Sequence, residues 1–507
     1  MAITIQDVHS RFTFVMMTNM LHLITLRSLT QSYLLSLLQV LSTWFLQDTT
    51  WKVPKVNVMV SLESLQSLTT PYGVALTEVF CSCLKEVLSE YSYYADCAGL
   101  QCDVKLAKGG IELMFFGYQH KLPVLVSKVL EEMKKMGGET PCPADCFNRV
   151  KEKVLRSYYN FKFGQPYYHC LLGFAVCLED PRWSSEEKYA ALTGATLADF
   201  HSFSSQLVRH MKADVLVHGN ATAEEAESLT ASIVKTLDFL PLSASQEPLR
   251  RIVCLPKGKE YIYRQHSKTM NPKEPNSAVE VFLIVGDFAG YHSQTDVDAS
   301  SSVVNQIRDE SLLELMAHLI SEPAFDQLRT KEQLGYIVHT SIKKVGHMCG
   351  LQMIVQSSHK DPTYLDQRVE DFLLGFREKL GAFTVEDLQT NIQAVIEKML
   401  EKPKNLDQES ARYWEEIKSA TYLFDRKERL AKHLRSVDLS ECLKFFDLHL
   451  SASSAERRKC SSQFFGKGTK YPSAPEKSNT VVVKNAAHFK RTMSLEPIKT
   501  YTADLKK

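Results

Sequence analysis

The sequence lacks a long uninterrupted apolar run, and it lacks an excess of charge of either sign. Polar residues break every apolar stretch before the roughly 18 residues that a transmembrane helix needs, so no membrane span is expected. The 60 basic and 59 acidic side chains give a formal net charge of +1, which provides no strongly basic surface for nucleic acid. With 44% hydrophobic and 23% charged residues, the 507-residue chain is typical of a globular protein of several domains.

The sequence also lacks the motifs of several kinds of catalytic site. None of its sixteen histidines is followed by glutamate three residues later and histidine four residues later, so the zinc-binding motif His-x-x-Glu-His is absent. A Gly-x-Ser-x-Gly elbow is absent as well, and the segment 466–470 lacks the first glycine of a phosphate-binding loop. His169 and Cys170 are not expected to form a nucleophile pair, because neighbours on a helix point about 100° apart.

The twelve cysteines do not form the dense framework of a secreted, disulfide-rich protein. Their scatter is typical of a reduced intracellular chain, and we predict a cytoplasmic location with a mitochondrial one as the alternative. Cys81 with Cys83, and Cys142 with Cys146, lack the second pair of ligands that a structural zinc site needs. They are expected to be packing residues or inert surface thiols, and no metal ligand or cofactor is expected in this chain.

Residues 1–47 differ in composition from the remainder of the chain. They contain Asp7 as their one acidic residue, are rich in Leu, Thr and Ser, and have Arg11 and Arg27 as their strong bases. This composition is compatible with a weak organellar transit peptide or with an incorrectly assigned gene start, and both interpretations stay open. We therefore predict an atypical segment ahead of the first domain.

Two parts of the chain repeat the same order of predicted elements. Each begins with a strand, continues with a long helix whose apolar residues recur every three or four positions, and then forms a strand pair and further helices. The first long helix begins at Pro71, the second covers residues 303–328, and a later helix has Thr384 as its N-cap. The predicted strands lie at residues 55–60, 102–106 and 111–116 in the first part and at residues 278–285, 336–341 and 351–356 in the second.

This repeat predicts two homologous domains of the α+β class, each with an antiparallel sheet covered by helices. The expected ranges are 1–47 for the atypical segment, 48–240 for the first domain, 241–261 for a linker and 262–507 for the second domain. Residues 452–480 are rich in Ser, Lys, Gly and Pro and hold few large apolar side chains. A long exposed insertion or a poorly ordered segment is expected there.

The segment from Ser321 to Val338 is the most distinctive part of the sequence. A helix that is apolar on one face runs into Pro323, a charged Arg-Thr-Lys-Glu stretch follows, and Gly335-Tyr336 opens an apolar strand. Residues 328–338 resemble the segment that faces the zinc site in the insulin-degrading-enzyme family, the pitrilysin-type or inverzincin zinc metallopeptidases. The resemblance runs from about residue 44 to about residue 450 and includes residues 91–100, 116–118, 217–220, 402–404 and 413–414.

The resemblance implies the third and fourth of that family's four homologous roll domains, which form the C-terminal half of a closed peptide-hydrolysing chamber. Zinc is then expected in an N-terminal half outside this chain. The implied partners are peptide substrates, a zinc-bearing N-terminal half or homologous subunit, and further copies of the chain itself. Alone, the chain is expected to be inactive. The alternative is a non-catalytic peptide-binding or assembly module derived from the same family.

The same resemblance assigns two site residues. Tyr336 would stabilise the oxyanion that develops on a bound peptide, and Arg329 would donate a hydrogen bond to a substrate carbonyl. From the residues alone, Arg329 is also interpretable as a solvated cation at a helix end, and Tyr336 as a packing aromatic. Lys331 and Glu332 are either surface charges or groups that order the loop before Tyr336.

Two further sets of residues are weaker candidates. Lys402 and Lys404, with Lys398 nearby, form a small basic cluster that would bind an anion, and a solvated helix end is the other interpretation. His218 precedes a Gly-Asn turn at the end of a predicted strand. It is expected to be structural, because no second ligand stands at metal-binding spacing from it.

Overall fold

The computed structural model describes residues 2–6, 13–17, 41–107, 109–242, 249–287, 301–472 and 478–497. The strands, in chain order, are β1 Ala2–Gln6, β2 Thr13–Met17, β3 Leu41–Gln47, β4 Lys55–Glu63, β5 Gln101–Ala107, β6 Gly110–Tyr118, β7 Glu179–Asp180, β8 His210–Gly219, β9 Leu240–Pro241, β10 Arg251–Val253, β11 Lys259–His266, β12 Ser277–Asp287, β13 Ile337–Val345, β14 Met348–Ser357, β15 Arg458–Phe465, β16 Thr480–Val483 and β17 Leu495–Pro497.

The helices, in chain order, are α1 Pro71–Val87, α2 Ser89–Cys97, α3 Leu122–Lys134, α4 Ala144–Phe161, α5 Pro166–Leu178, α6 Ser185–Thr193, α7 Leu197–Arg209, α8 Ala223–Leu237, α9 Ser301–Ala324, α10 Pro362–Gly381, α11 Val385–Met399, α12 Leu406–Lys418, α13 Arg426–Leu434, α14 Leu439–His449 and α15 Ala486–Thr492. Short 3₁₀ turns lie at Leu65–Ser67 and Ser267–Thr269, and wider helical turns at Lys135–Glu139 and Phe325–Lys331. None of the helices in the described ranges combines the length and the apolar character that crossing a bilayer requires.

Two large sheets share one strand order. The first contains β3-β8-β4-β6-β5 and the second contains β11-β15-β12-β14-β13 in corresponding positions. The pairs β3–β8 and β11–β15 are parallel, and the other neighbouring pairs in these two orders are antiparallel. Strands β1, β2 and β9 extend the first sheet, β16 extends the second, and β7, β10 and β17 form a small third sheet. The predicted duplication and the α+β class are therefore confirmed.

The local sequence explains where the principal helices begin. Thr70 caps α1 through its side chain, which accepts from the Gly73 N–H, and Pro71 supplies a preformed first turn. Thr384 caps α11 in a reciprocal capping box with Asp387, as the sequence predicts for Thr384. Each sheet then buries one face under its own helices, which gives each half of the chain its own large apolar core.

The other face of each sheet is covered by a helix from the opposite half of the chain. Helix α12 packs on β4 and β8 of the first sheet, and α5 packs on β12 and β15 of the second. At the first of these interfaces, Trp44 is fully buried and stacks on Tyr422 with ring centroids 4.9 Å apart. The Nε1–H of Trp414 donates to the buried carboxylate of Glu112. Helices α5 and α12 occupy equivalent places in the repeat. They are exchanged between the halves, in the sense that each covers the sheet of the half to which it does not belong.

The exchange of α5 and α12 is also seen in contacts between individual side chains and the opposite sheet. Asn57 of β4 lies opposite His218 of β8, and the Ser410 hydroxyl of α12 lies 2.9 Å from the Asn57 amide and 2.8 Å from His218 Nδ1. At the equivalent place in the other half, the Cys170 thiol of α5 lies 3.5 Å from the backbone oxygen of Ala278 in β12. His218 is therefore a buried interface residue, in keeping with the structural role expected for it.

Acidification is expected to weaken this interface through His218. Burial lowers the pKa of its imidazole to about 4, although the nearby Asp48 acts in the opposite direction. Because the unfolded chain binds a proton below about pH 6.5 and the folded chain does so only near pH 4, stability falls as the pH drops through this window. Between pH 7 and pH 5 the loss from this one group is about 2 kcal/mol.

Urea denaturation at the two pH values measures this loss. His218→Gln, which keeps a polar side chain and removes the titration, should show a smaller difference between the two pH values than the unaltered chain. An equal difference in both proteins would contradict the assignment.

The structure differs from the sequence-based expectations in four places. The sequence predicts a long exposed insertion or a poorly ordered segment at residues 452–480, and for residues 458–465 this is wrong, because β15 is a buried central strand of the second sheet. The predicted linker 241–261 contains β10 and the start of β11, and β3 joins the first sheet although it precedes residue 48. The long helix continues past Pro323 to Ala324 before it widens into the turn Phe325–Lys331. Residues 18–40, 288–300 and 498–507 lie outside the described ranges.

Candidate functional site

The distinctive segment of the sequence forms the connection between α9 and β13. Leu328 and Leu334 are buried in the core of the second half, and the Leu334 N–H donates to the Leu328 carbonyl over 3.0 Å. Gln333 between them has a φ of 51°, in the left-handed region that closes tight turns. Two apolar contacts and a local backbone bond therefore hold this connection in one conformation.

Glu332 fixes the same connection to helix α10. Its two carboxylate oxygens accept from Nε and Nη2 of Arg368, each over 2.7 Å, and Oε1 also accepts from Gln327 over 2.8 Å. Hydrogen bonding to Arg368 lowers the pKa of the Glu332 carboxyl despite some desolvation. Lys331, in contrast, pairs at the surface with Asp326 over 2.7 Å. Of the two open alternatives, Glu332 thus has contacts that order the loop, and Lys331 is a surface charge.

Gly335 is required by the close approach of two backbones. A Cβ atom placed at this position would lie 1.8 Å from the carbonyl oxygen of Gln356 in β14, which is far inside van der Waals contact. Because the obstacle is backbone at the edge of a paired strand, it cannot rotate away as a side chain could. The glycine therefore sets the position of Tyr336, the next residue.

Replacing Gly335 by alanine is expected to lower the free energy of unfolding by roughly 1–3 kcal/mol, since the new methyl group displaces either the loop or β14. Gly375 in the exposed middle of α10 is the matched control, because a Cβ atom at that position would have no neighbouring atom within 4 Å. Gly375→Ala should raise stability by about 0.5–1 kcal/mol through helix propensity. Chemical denaturation measures both, and a loss in the two variants alike would contradict the backbone-contact argument.

The connection presents Arg329 and Tyr336 side by side. The guanidinium carbon of Arg329 lies 4.3 Å from the centroid of the Tyr336 ring and 4.6 Å from that of Phe325. Such cation–π contacts stabilise the pair by about 0.5–1 kcal/mol at exposed sites. Tyr336 is nevertheless 82% exposed, whereas Arg329 is half-buried between the two rings. The pair is thus positioned by its surroundings while the tyrosine remains open to a ligand.

The pair offers two kinds of hydrogen-bond donor. A planar guanidinium and a phenolic hydroxyl are both donors, and they suit carbonyl oxygens and negative charge that develops on oxygen. Phe325 was not identified from the sequence, although it stands four residues before Arg329, the spacing that brings side chains together on a helix. Arg368 was also missed, and nothing in its local sequence indicates that it holds Glu332.

The basic cluster lies on the segment between α11 and α12. Lys402 and Lys404 are exposed, and Lys404 Nζ lies 3.6 Å from the Glu401 carboxylate, which offsets part of its charge. Among the described residues, no ion pair or ring contact joins this cluster to Arg329 or Tyr336. Its assignment as an anion site stays a prediction.

Two parts of the chain match known sequence families. Residues 25–191 match the family described as the middle or third domain of peptidase M16. Residues 315–414 match the family described as the PQQ synthase PqqF-like C-terminal lobe domain 4. The two matched segments fall in the first and the second repeat, respectively.

Whole proteins and solved structures are similar over most of the chain. Human insulin-degrading enzyme is 31% identical over 474 residues, which cover 90% of this chain and 44% of that protein. A Schizosaccharomyces pombe protein named as a putative zinc protease is 30% identical over 462 residues, which cover 89% of this chain and 44% of that protein. The chain therefore spans about half the length of the curated relatives it matches.

The crystal structure of pitrilysin has the same fold, with a TM-score of 0.77 and 20% identity over 90% of this chain and 46% of that one. A second structure, titled as the peptidase M16 inactive domain from Pseudomonas fluorescens, superposes with a TM-score of 0.58 and 12% identity, covering 86% of this chain and 98% of that one. The predicted resemblance is confirmed by the sequence matches, and the roll fold by the structural ones. The chain belongs to the M16 peptidase family and is a relative of the insulin-degrading enzymes within it.

Proposed function

We propose that this chain is the substrate-enclosing C-terminal half of an insulin-degrading-enzyme-like metalloendopeptidase that hydrolyses peptides in a closed chamber. The order of its two matched families, a third domain followed by a fourth, supports this placement. So does its coverage of just under half of its relatives' length. The zinc expected of such an enzyme would be held outside this chain, which has no His-x-x-Glu-His motif.

The observation that carries the proposal is the Arg329–Tyr336 pair. The guanidinium carbon of Arg329 stands 4.3 Å from the Tyr336 ring centroid on a connection held by Glu332, Arg368 and Gly335, and Tyr336 remains 82% exposed. A purely structural module has no physical need to fix an exposed aromatic residue and a cation together. In a closed chamber, Arg329 would bind a carbonyl of the peptide and the Tyr336 hydroxyl would donate to the oxygen that becomes negatively charged.

Neither residue supplies a nucleophile, so the chain alone should not cleave peptides. The zinc half, when present, supplies a metal-activated water for that step. The role left to this chain is to orient the peptide and to stabilise charge on the reacting carbonyl, both of which require closure of the two halves.

A reconstitution experiment tests the proposal. The purified chain is assayed with a fluorogenic peptide alone and after mixing with the zinc-bearing N-terminal half of a relative. We expect no cleavage above background by the chain alone and a clear gain of activity over the N-terminal half on mixing. Complex formation without any gain in activity would sink the proposal.

The second candidate function is a non-catalytic peptide-binding or assembly module. It is favoured by the match to the Pseudomonas fluorescens protein titled as an inactive domain, of which the present chain covers 98%. If this function holds, a labelled peptide should bind the lone chain, as measured by fluorescence anisotropy, and the mixture should show no added cleavage. Binding that disappears in Arg329→Ala would place the peptide at the same surface in either function.

Partner dependence is part of the proposal, and exposed apolar side chains occur on several helices. Tyr93 and Tyr94 of α2, Leu374 of α10 and Val385 of α11 are between 63% and 76% exposed. Single exposed apolar side chains are ordinary on a protein surface, so the expected partner follows from the proposed chamber, which a second half must close. Light scattering that shows a monomer over a wide concentration range would contradict self-association.

A further inference from the structure

Three cysteines that are distant in sequence meet inside the helical layer of the first half. The Sγ atoms of Cys83, Cys142 and Cys146 all lie within 4.8 Å of one another, and all three residues are buried. In the described part of the chain, this is the one group of three or more His, Cys, Asp or Glu side chains whose ligand atoms meet so closely. Lone buried cysteines are common as packing residues, but three converging thiols form a donor set.

Two packed helices build this cluster. Cys83 lies about one turn before the end of α1, Cys146 lies in the first turn of α4, and Cys142 stands just before α4 on the other side of Pro143. The extended backbone of Pro143, with φ −60° and ψ 148°, turns the chain so that Cys142 and Cys146 face the same partner helix. Helices α1 and α4 are in direct contact, so the three sulfurs are brought together by the fold itself.

The three thiols differ in acidity. A hydrogen bond from Cys83 lowers the pKa of the Cys142 thiol to about 7, whereas hydrogen bonding to Cys142 raises the pKa of Cys83 and burial raises that of Cys146 to about 12. Helix α4 has 18 residues, and its N-terminus has no side-chain cap. Its free N–H groups and dipole stabilise a thiolate placed at that end. Glu86, three residues after Cys83, accepts a hydrogen bond from Nε of Arg149 in α4 over 3.2 Å. Both of these side chains are partly exposed at the surface.

The number of converging thiols suits a soft metal ion, which can use all three, better than a disulfide, which joins two. In a tetrahedral zinc site with Zn–S bonds of about 2.3 Å, the sulfurs stand roughly 3.8 Å apart. The separations in the cluster, none of them above 4.8 Å, are compatible with that spacing, and such an ion uses all three thiols. A disulfide would join two of the sulfurs at about 2.05 Å and leave the third without a function.

We propose that Cys83, Cys142 and Cys146 bind one thiophilic metal ion, with Zn²⁺ as the expected ion and a water in the fourth position. The ion ties α1 to α4 and stabilises the first half of the chain. It takes no part in peptide hydrolysis, so the inference is independent of the proposed function. It also departs from the expectation that these cysteines are inert and that the chain binds no metal.

Metal titration of the reduced full-length chain tests the site. After removal of metal by a chelator, Zn²⁺ or Cd²⁺ is added in the presence of a non-thiol reductant, and bound metal is measured by mass spectrometry of the native protein. We expect one ion per chain, a sulfur-to-cadmium charge-transfer absorption, and a rise in the thermal midpoint on binding. No binding by the folded, fully reduced chain would overturn the proposal.

Single serine variants separate this site from adventitious binding. Cys83→Ser, Cys142→Ser and Cys146→Ser should each weaken binding by more than the roughly 10- to 100-fold that loss of an outer-shell partner costs. Cys81→Ser is the matched control, because Cys81 is also buried on the same helix but stands outside the cluster. Equal loss in the control, or unchanged metal content in the three variants, would overturn the proposal.

The disulfide alternative has its own readout. Peptide mapping of the chain purified without reductant would reveal a bond between two of the three cysteines. If such a bond forms and the reduced chain takes up no metal, the cluster is a redox site and the metal proposal is wrong. Circular dichroism of each variant establishes that a loss of metal binding is not a loss of folding.

Discussion

Tyr336→Phe is expected to lower kcat of the reconstituted complex by roughly 100- to 1000-fold, the usual cost of one oxyanion donor. KM should change little, because the aromatic ring and its contact with Arg329 remain while only the hydroxyl is lost. Arg329→Ala should lower kcat/KM as well, and it should also raise KM, because a donor to the bound peptide and the packing partner of the ring disappear together. Steady-state kinetics with one fluorogenic peptide separates the two patterns.

Tyr364→Phe is the matched control for this prediction. Tyr364 is a partly exposed tyrosine of α10 whose ring also faces a cation, with Lys360 Nζ 4.6 Å from its centroid. It therefore shares the local chemistry of Tyr336 without its position on the candidate site. Removal of the Tyr364 hydroxyl should leave kcat within about twofold of the value for the unaltered complex. A comparable effect of the two Tyr→Phe variants, or an unchanged kcat in Tyr336→Phe, would remove the catalytic role.

Asp366→Ala is expected to lower the free energy of unfolding by about 3–5 kcal/mol, because it breaks a buried ion pair and leaves a cation without full compensation. Lys459 of β15 is almost fully buried, and its Nζ lies 2.6 Å from Asp366 and 2.6 Å from Glu370, both on α10. Asp366 also accepts a hydrogen bond from Gln463 over 3.0 Å. Removing the carboxylate therefore disturbs the join between the central strand and its covering helix.

The measurement is the denaturant midpoint of the full chain at neutral pH. Glu152→Ala is the control, because Glu152 forms an exposed i,i+4 pair with Arg156 on α4, and such pairs contribute about 0.3–0.5 kcal/mol. Lys459→Met replaces the cation by an apolar chain of similar length. The loss in free energy of unfolding that it causes should become smaller only when Asp366 is replaced as well. A loss of less than about 1 kcal/mol in Asp366→Ala would show that the buried charges are better solvated than their burial indicates.

The same strand shows why part of the fold could not be predicted. Helices α1 and α11 and the strand pairs were identified, because apolar spacing and capping residues are local signals. Strand β15 was missed because Lys459, Ser461 and Gln463 alternate along it and resemble a polar loop. Their partner is Asp366, nearly a hundred residues earlier in the chain, so the signal that makes these polar residues buried is not local.

The candidate site, like the fold, could be predicted only in part from the sequence. Arg329 and Tyr336 were singled out by resemblance, and the close approach at Gly335 has a visible cause in the sequence, because only glycine fits beside another backbone. The positions of Arg368 and Phe325 follow from tertiary packing, so they could not be inferred from the segment itself. The cysteine cluster was missed for a similar reason, since Cys83 lies on a different helix from its two neighbours.

The exchange of α5 and α12 between the two halves has a consequence during synthesis. When β8 has left the ribosome at Gly219, the face of the first sheet that holds Trp44 is still uncovered, because its covering helix begins only at Leu406. At ordinary translation rates that delay is roughly ten to forty seconds. Nascent chains of this protein should therefore engage a chaperone at this face, and its release should coincide with the emergence of α12.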